Sequence, residues 1–263
     1  MATARDLLVR GLLAGLLAGI ATFFVAYGVG EPSVGAAIAV EDSGGPAAGA
    51  PAEEQAHEAG AEHEHATPVP RSLQSTAGLA TGTVVAGVTL GGLVAVVSAL
   101  ALGRFGRLGV RGTVLLVTGL GFLATYVVPF LAYPPNPPAV GRSDSLGERT
   151  ALYFILVAVS LIVGVAAVLV ARRLAPRWGA WYASLACAAG YAVVMAVAVV
   201  LMPGYDEVPA DFPAAVLYDF RRASLLVQLA LWGLVGLATA ELAHRLAVRG
   251  QQDDQPAGLV RAR

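Results

Sequence analysis

Six long apolar runs alternate with polar segments along the chain, at residues 12–29, 77–102, 113–131, 151–171, 181–201 and 224–242. A helix needs roughly 20 mostly apolar residues to cross the hydrocarbon of a bilayer. None of the runs alternates apolar and polar positions with period two, as a membrane β-barrel would require. In lipid a segment must satisfy its own backbone hydrogen bonds, so such runs are read as helices. The pattern predicts an all-α integral membrane protein, a bundle of about six transmembrane helices. Residues 1–29 hold the N-terminus and first helix, and 30–76 an acidic, His-containing loop that is partly disordered. Residues 77–243 form a five-helix membrane core with Pro-rich loops at 133–150 and 203–221, and 244–263 a tail.

Finer patterning adds three expectations. Gly11, Gly15 and Gly19, and Gly78/Gly82 and Gly87/Gly91, recur at four-residue spacing, which lines one helix face with small residues and lets backbones approach. Phe212, Val216, Leu217 and Phe220 fit a short amphipathic helix at the membrane surface, with Asp211 or Pro213 near its start. Residues 42–70 are rich in Gly, Ala, Pro and Glu and cannot build a core, so disorder is expected there. Arg5, Arg10, the first apolar run and Ala37-Ile38-Ala39 also resemble a secretory leader. At 18 residues the run is long for a leader core, which favours a retained helix.

Composition agrees with this reading: 57% of residues are hydrophobic, 13% are charged and the mean hydropathy is +0.69. The net charge of −1 gives no basis for binding nucleic acid. The distribution of charge is more informative. All 17 basic residues are arginine, and 12 fall on the side that carries both termini and the second and fourth loops. The bias of basic residues toward the cytoplasm therefore places both termini there. The opposite face holds 14 of the 18 acidic residues. Carboxylates do little to set topology, so that excess reads either as a solvated acidic loop or as a surface that concentrates cations.

Candidate chemistry lies on the acidic face. His57, His63 and His65 sit among three glutamates; imidazole suits divalent nickel, cobalt, copper and zinc. In the fifth loop Asp206, Glu207, Asp211 and Asp219 stand among Pro203, Pro209 and Pro213, which restrict the backbone and hold the carboxylates at fixed angles. The alternative there is pairing with Arg221 and Arg222. In the third loop Pro134-Pro135-Asn136-Pro137-Pro138 is stiff and extended, and Asn136 offers an amide oxygen to a cation or serves in a rigid connector. Glu148-Arg149-Thr150 reads as a cap on the fourth run. Mid-membrane positions carry no ionisable group, which counts against a proton relay. Tyr126, Tyr191, Met195 and Gln228 are among the few polar or soft groups there, and Cys187, the single cysteine, forms no internal disulfide. No P-loop, zinc-protease helix, serine elbow or haem-type cysteine motif is present, so the chain reads as a non-enzyme with no permanently bound cofactor.

These loops resemble the CbtA family of predicted cobalt transporter subunits. The likeness is carried by Gly30-Glu31-Pro32 and Ala36-Ala37-Ile38-Ala39-Val40-Glu41, by Pro129-Phe130-Leu131, and by Tyr133-Pro134-Pro135-Asn136-Pro137-Pro138-Ala139-Val140-Gly141. It continues in Arg149-Thr150, Tyr153, Asp206-Glu207-Val208-Pro209-Ala210-Asp211-Phe212-Pro213, Phe220-Arg221, Ala223-Ser224-Leu225, Gln228 and Leu231-Trp232. The resemblance implies an inner-membrane protein that supplies Co²⁺ for cobalamin synthesis with a CbtB-like partner, a small single-span protein with a His-bearing tail. The chain departs from the family pattern in two ways: six spans stand against the five usually described, and the insert at 57–65 lies outside it. Glu31, Glu41, Asn136, Asp206, Glu207 and Asp211 are the residues expected at an outer metal site, with the histidines as collectors and Co²⁺ as substrate. A non-transporting metal-binding scaffold, or a carrier of nickel or a cobalamin precursor, is the alternative.

Overall fold

The computed structural model describes residues 4–43, 70–105, 108–138, 140, 146–205 and 207–253. Six helices account for most of them: α1 (Ala4–Asp42), α2 (Arg71–Ala101), α3 (Val110–Ala132), α4 (Leu146–Trp178), α5 (Ala180–Leu201) and α6 (Ala214–Asp253). Each contains a stretch long and apolar enough to cross a membrane, and no strand occurs among the described residues. Two helices exceed the apolar runs for identifiable reasons. Residues 31–42, assigned from sequence to a loop, continue α1, and their Val40 packs beside Val140 and Phe212. The expected surface helix at 212–220 is instead the first part of α6. No glycine or proline interrupts the chain between Pro213 and Gly233, and Val216 and Leu217 donate their N–H groups to the Pro213 carbonyl.

The frame is set where α1 and α2 cross. Gly11, Gly15 and Gly19 of α1 face Gly91, Gly87 and Thr83 of α2 in antiparallel register. The backbones touch so closely that a Cβ on Gly15 would lie 2.1 Å from the Gly87 carbonyl oxygen. One on Gly91 would lie 2.2 Å from the Gly11 oxygen. Ala14, Ala18 and Ala95 extend this buried seam. Such contact gains dispersion energy that bulky side chains would forfeit by holding the helices apart. A second close crossing joins α3 to α6, with Gly121 under the Trp232 ring and Gly236 against Thr118. Together α1, α2, α3 and α6 share a core that includes Val94, Val114, Leu231 and Val235.

The remaining helices, α4 and α5, form a hairpin that turns on Gly179, whose φ of +79° favours a residue without a Cβ. Leu156 and Met195 lie inside the hairpin's contact with Val128 and Tyr133, so it docks on the last turns of α3. Two ends can now be distinguished. At the arginine end, Glu241 receives Arg111 at 2.6 Å and Arg245 at 2.7 Å, and Arg10 donates to the Leu242 carbonyl at 3.1 Å. The proline-loop end carries residues 30–43, 133–138, 140, 202–205 and 207–213.

Three helices widen by one residue as they near the proline-loop end, at Ala26–Gly30, Gln74–Gly78 and Leu123–Val127. Two of these π turns have a cause in the sequence. Pro32 and Pro129 follow two residues after them. A proline inside a helix lacks the N–H for the carbonyl four residues back, and its ring crowds that carbonyl. The wider turn makes room, with Glu31 N–H reaching the Ala26 oxygen and Val128 N–H the Leu123 oxygen.

The α1–α2 contact predicts an asymmetry between glycines. Gly15→Ala should destabilise by about 1–3 kcal/mol, and Gly15→Leu should prevent recovery of folded protein. Gly82→Ala, where nothing lies within 4 Å, should leave stability unchanged or slightly raised. Thermal unfolding in detergent reads all three; equal tolerance at the two positions would refute the contact.

Candidate functional site

The site grows from carbonyl groups that prolines leave without partners. In α3 the missing N–H of Pro129 frees the Thr125 carbonyl, and the Tyr153 hydroxyl of α4 donates to it at 3.1 Å. The chain then leaves the helix at Tyr133, whose N–H still reaches the Pro129 oxygen at 2.7 Å. Its hydroxyl crosses to the fifth loop and donates to the Pro203 carbonyl at 3.0 Å. Arg149, in the first turns of α4, donates through Nη2 to the Pro134 carbonyl at 3.1 Å. Each contact satisfies a backbone oxygen that extended, proline-rich chain cannot satisfy itself.

Arg149 also anchors a charged network. Its Nη1 lies 2.6 Å from Oε2 of Glu207, whose side chain is only 5% exposed. The Asn136 amide nitrogen approaches the same carboxylate oxygen at 3.5 Å, the long limit of a hydrogen bond. The Asn136 oxygen accepts from Arg221 Nη2 of α6 at 3.1 Å. Arg221, Asn136, Glu207 and Arg149 thus run in series and tie the third loop, the fifth loop, α4 and α6 to one another. Val140 and Phe212 seal the outer side of the junction with Val40 and Val208.

Beside the network lies an open cavity of about 740 Å³. Its walls are aromatic: Tyr126, Phe130, Tyr133, Tyr153 and Phe154. Pro135, Pro137 and Pro138 also line it, and Asn136, Arg149, Thr150 and Glu207 bring the polar groups. The Tyr126 hydroxyl is buried and has no hydrogen-bond partner. Burial first, and the Glu148 carboxylate second, push the Tyr133 phenol above its ordinary range, so it remains a neutral donor near pH 7. Tyr205, whose ring stands 6.3 Å from that of Tyr133, is raised by desolvation and then by its hydrogen bond to Glu148.

The residues expected at a metal site are distributed as follows. Asn136 and Glu207 meet, and both engage guanidinium groups. Glu31 pairs with Arg71, which joins α1 to the start of α2. Glu41 is exposed near the end of α1 and Asp211 is exposed in the turn before α6. Asp219 pairs with Arg222 at 3.3 Å. Asp206, His57, His63 and His65 lie outside the described residues. Among the described residues no three of His, Cys, Asp and Glu gather closely enough to hold a metal ion. The Glu207 carboxylate is already paired with Arg149, and the Asn136 oxygen already accepts from Arg221. The Asn136–Glu207 junction therefore ties the two loops to α4 and α6.

Sequence reasoning treated Arg149 as part of a helix cap and missed its bridging role. A signal was present: the count of basic residues assigns five arginines to the face where that bias expects few. The four within the described residues, Arg71, Arg149, Arg221 and Arg222, each have a partner.

A protein-family model described as a probable cobalt transporter subunit (CbtA) matches residues 4–244 of the chain. No curated protein and no solved structure matches.

Breaking the buried pair should be costly. Glu207→Gln or Arg149→Met should each destabilise by about 3–5 kcal/mol, because the remaining charge is left in a poorly solvated place. Glu31→Gln, at a more exposed pair, should destabilise by about 0–1 kcal/mol. Thermal unfolding in detergent orders the variants; a Glu207→Gln midpoint equal to that of Glu31→Gln would show that the network does not hold the loops.

Proposed function

The chain belongs to the CbtA family of probable cobalt transporter subunits, and on that premise we propose that it is the bilayer-embedded subunit of a Co²⁺ uptake system in a bacterial cytoplasmic membrane. Both termini face the cytoplasm, and the imported metal supplies cobalamin synthesis. The observation that carries the reading is the family match across all six spans, joined to the segregation of charge. Acidic residues crowd the proline-loop end, and arginines crowd the opposite end.

That asymmetry supports a specific role for the exposed carboxylates. A surface of one sign raises the local concentration of the opposite ion without needing a coordination cage. Glu41, Asp211, Asp206 and the acidic, His-containing segment around His57, His63 and His65 gather the cation at the outer face. Glu31, Asn136 and Glu207 hold the helices and loops that carry this surface. A second subunit, a small single-span CbtB-like protein bearing histidines, supplies the imidazole ligands that the spans of this chain lack. A membrane potential of 100 mV contributes about 4.6 kcal/mol to moving a divalent ion inward, enough to drive substantial accumulation.

Radiolabelled Co²⁺ uptake in cells without other cobalt importers tests the reading, with the chain expressed alone and with a CbtB-like partner. Wild type should accumulate cobalt. Glu41→Ala/Asp211→Ala, at matched membrane abundance, should lower uptake several-fold at low ionic strength and less at high salt, where screening already weakens attraction. Unchanged uptake in that variant would remove the gathering role. Accumulation of nickel or of a corrinoid precursor without cobalt would move the substrate. Metal binding with no uptake would favour a scaffold.

A further inference from the structure

The α4–α5 hairpin turns at the arginine end through a surface whose charge no described carboxylate offsets. Arg172, Arg173 and Arg177 of α4 are exposed. None of the three has an acidic partner among the described residues. The reason lies in the sequence. Residues 149–205, which hold nearly all of the hairpin, contain no Asp or Glu, and neither do residues 79–132, which hold most of α2, the loop after it and α3. The described carboxylates at this end are Asp6 on α1 and Glu241 on α6, and Glu241 is taken by Arg111 and Arg245.

The arginines also continue an apolar strip. Val165, Leu169, Arg173 and Arg177 follow one another at four-residue intervals along one side of α4, and all four are exposed. Trp178 and Trp181, 54% and 75% exposed, flank the turn. Exposed tryptophans at the end of a membrane span sit at the level of the lipid head groups. Arg172 reaches the frame: its guanidinium carbon lies 6.0 Å from the ring centroid of Phe105, in the loop after α2.

We propose that this turn binds an anionic phospholipid, with the phosphate held by Arg173 and Arg177 and an acyl chain laid along Leu169 and Val165. One helical turn, about 6 Å of rise, separates the two arginines, so a single phosphate can reach both. Guanidinium groups present paired N–H donors that match phosphate oxygens. A soluble acidic peptide would meet the same charges but would leave the apolar strip and the exposed rings unused. The core contact of the hairpin lies at its other end, against Val128 and Tyr133. A lipid beside Arg172 therefore completes the attachment of the hairpin where protein packing gives way to the Phe105 contact. The site is independent of the cobalt reading, since it needs only the bilayer and the charges described.

The test uses the full chain in phosphatidylcholine nanodiscs that contain rising fractions of phosphatidylglycerol with brominated acyl chains. Bromine quenches tryptophan on contact. Two of the three tryptophans, Trp178 and Trp181, stand at the site, and the third, Trp232, packs against Gly121. Brominated phosphatidylglycerol should quench at a lower fraction than brominated phosphatidylcholine, a preference of about tenfold. Arg173→Gln/Arg177→Gln should bring that preference close to one. Arg5→Gln/Arg249→Gln, which removes as much charge from the same end, should leave it unchanged. Equal loss in the two pairs would trace the preference to the general field of that end and overturn the site. Arg173→Lys/Arg177→Lys keeps the charge that orients the chain, and should weaken the preference several-fold because the forked donors are gone. Full retention in that variant would overturn the pairing of guanidinium with phosphate, even if the glutamine variant fails to assemble. Inorganic phosphate at matched ionic strength should leave the quenching unchanged; displacement of the lipid by it would assign the site to the free anion. No preference for phosphatidylglycerol in wild type would overturn the lipid and leave the turn to an acidic protein segment.

Discussion

Every backbone carbonyl in a poorly solvated region needs a donor, and prolines withdraw donors at the end of this bundle where the loops meet. That one constraint organises the proline-loop end. Pro129 frees the Thr125 oxygen, and the hydroxyl of Tyr153 takes it. The oxygens of Pro134 and Pro203 are taken by Arg149 and Tyr133. Because the donors arrive on long side chains from other segments, each satisfied carbonyl is also a tertiary contact. The rigidity of the loops follows from this exchange together with the fixed φ of proline. A loop of ordinary residues could have satisfied its carbonyls by bonding to water, and would then have needed no neighbour.

The frame that brings those segments together rests on a different economy. Between α1 and α2 the glycine seam lets main chains touch, which gives α1 a single rotation and depth against its partner. The extension of α1 to Asp42 carries that placement to Val40, which closes over Val140 and Phe212. The hairpin of α4 and α5 has far less burial and is held mainly through the last turns of α3. Its first turns nevertheless supply Arg149, Thr150 and Tyr153. The cavity therefore forms at the seam between a tightly packed four-helix frame and a loosely attached hairpin. Small motions of the hairpin would change its width without disturbing the α1–α2 contact.

Charge operates at two ranges here. Along the sequence, acidic residues cluster in the segments that join the proline loops and arginines in the alternate segments, a pattern of the kind that sets up long-range fields. At the shortest range charges are paired: Arg149 with Glu207, while Arg221 is tied to Asn136 and the Glu148 carboxylate stands beside Tyr133 and Tyr205.

Hydrophobic run length was sufficient to locate all six helices, because crossing hydrocarbon as a helix leaves little freedom in length or composition. Glycine spacing at 11, 15, 19, 87 and 91 was visible as a packing face, since a four-residue period has one geometrical meaning on a helix. The family was legible in the loops for the opposite reason: Pro-Pro-Asn-Pro-Pro and Glu-Val-Pro-Ala-Asp-Phe-Pro are too unusual to be composition alone. Helix ends were less legible: the first apolar run stops at residue 29, yet a widened turn carries the helix on past Pro32. What only the tertiary structure decided was which charges meet. Glu207 and Arg149 are 58 residues apart, and Asn136 and Arg221 are 85 apart. Local pattern could place each of them at one membrane face, but ion pairing depends on distances of a few ångströms, and those were set by how six helices pack.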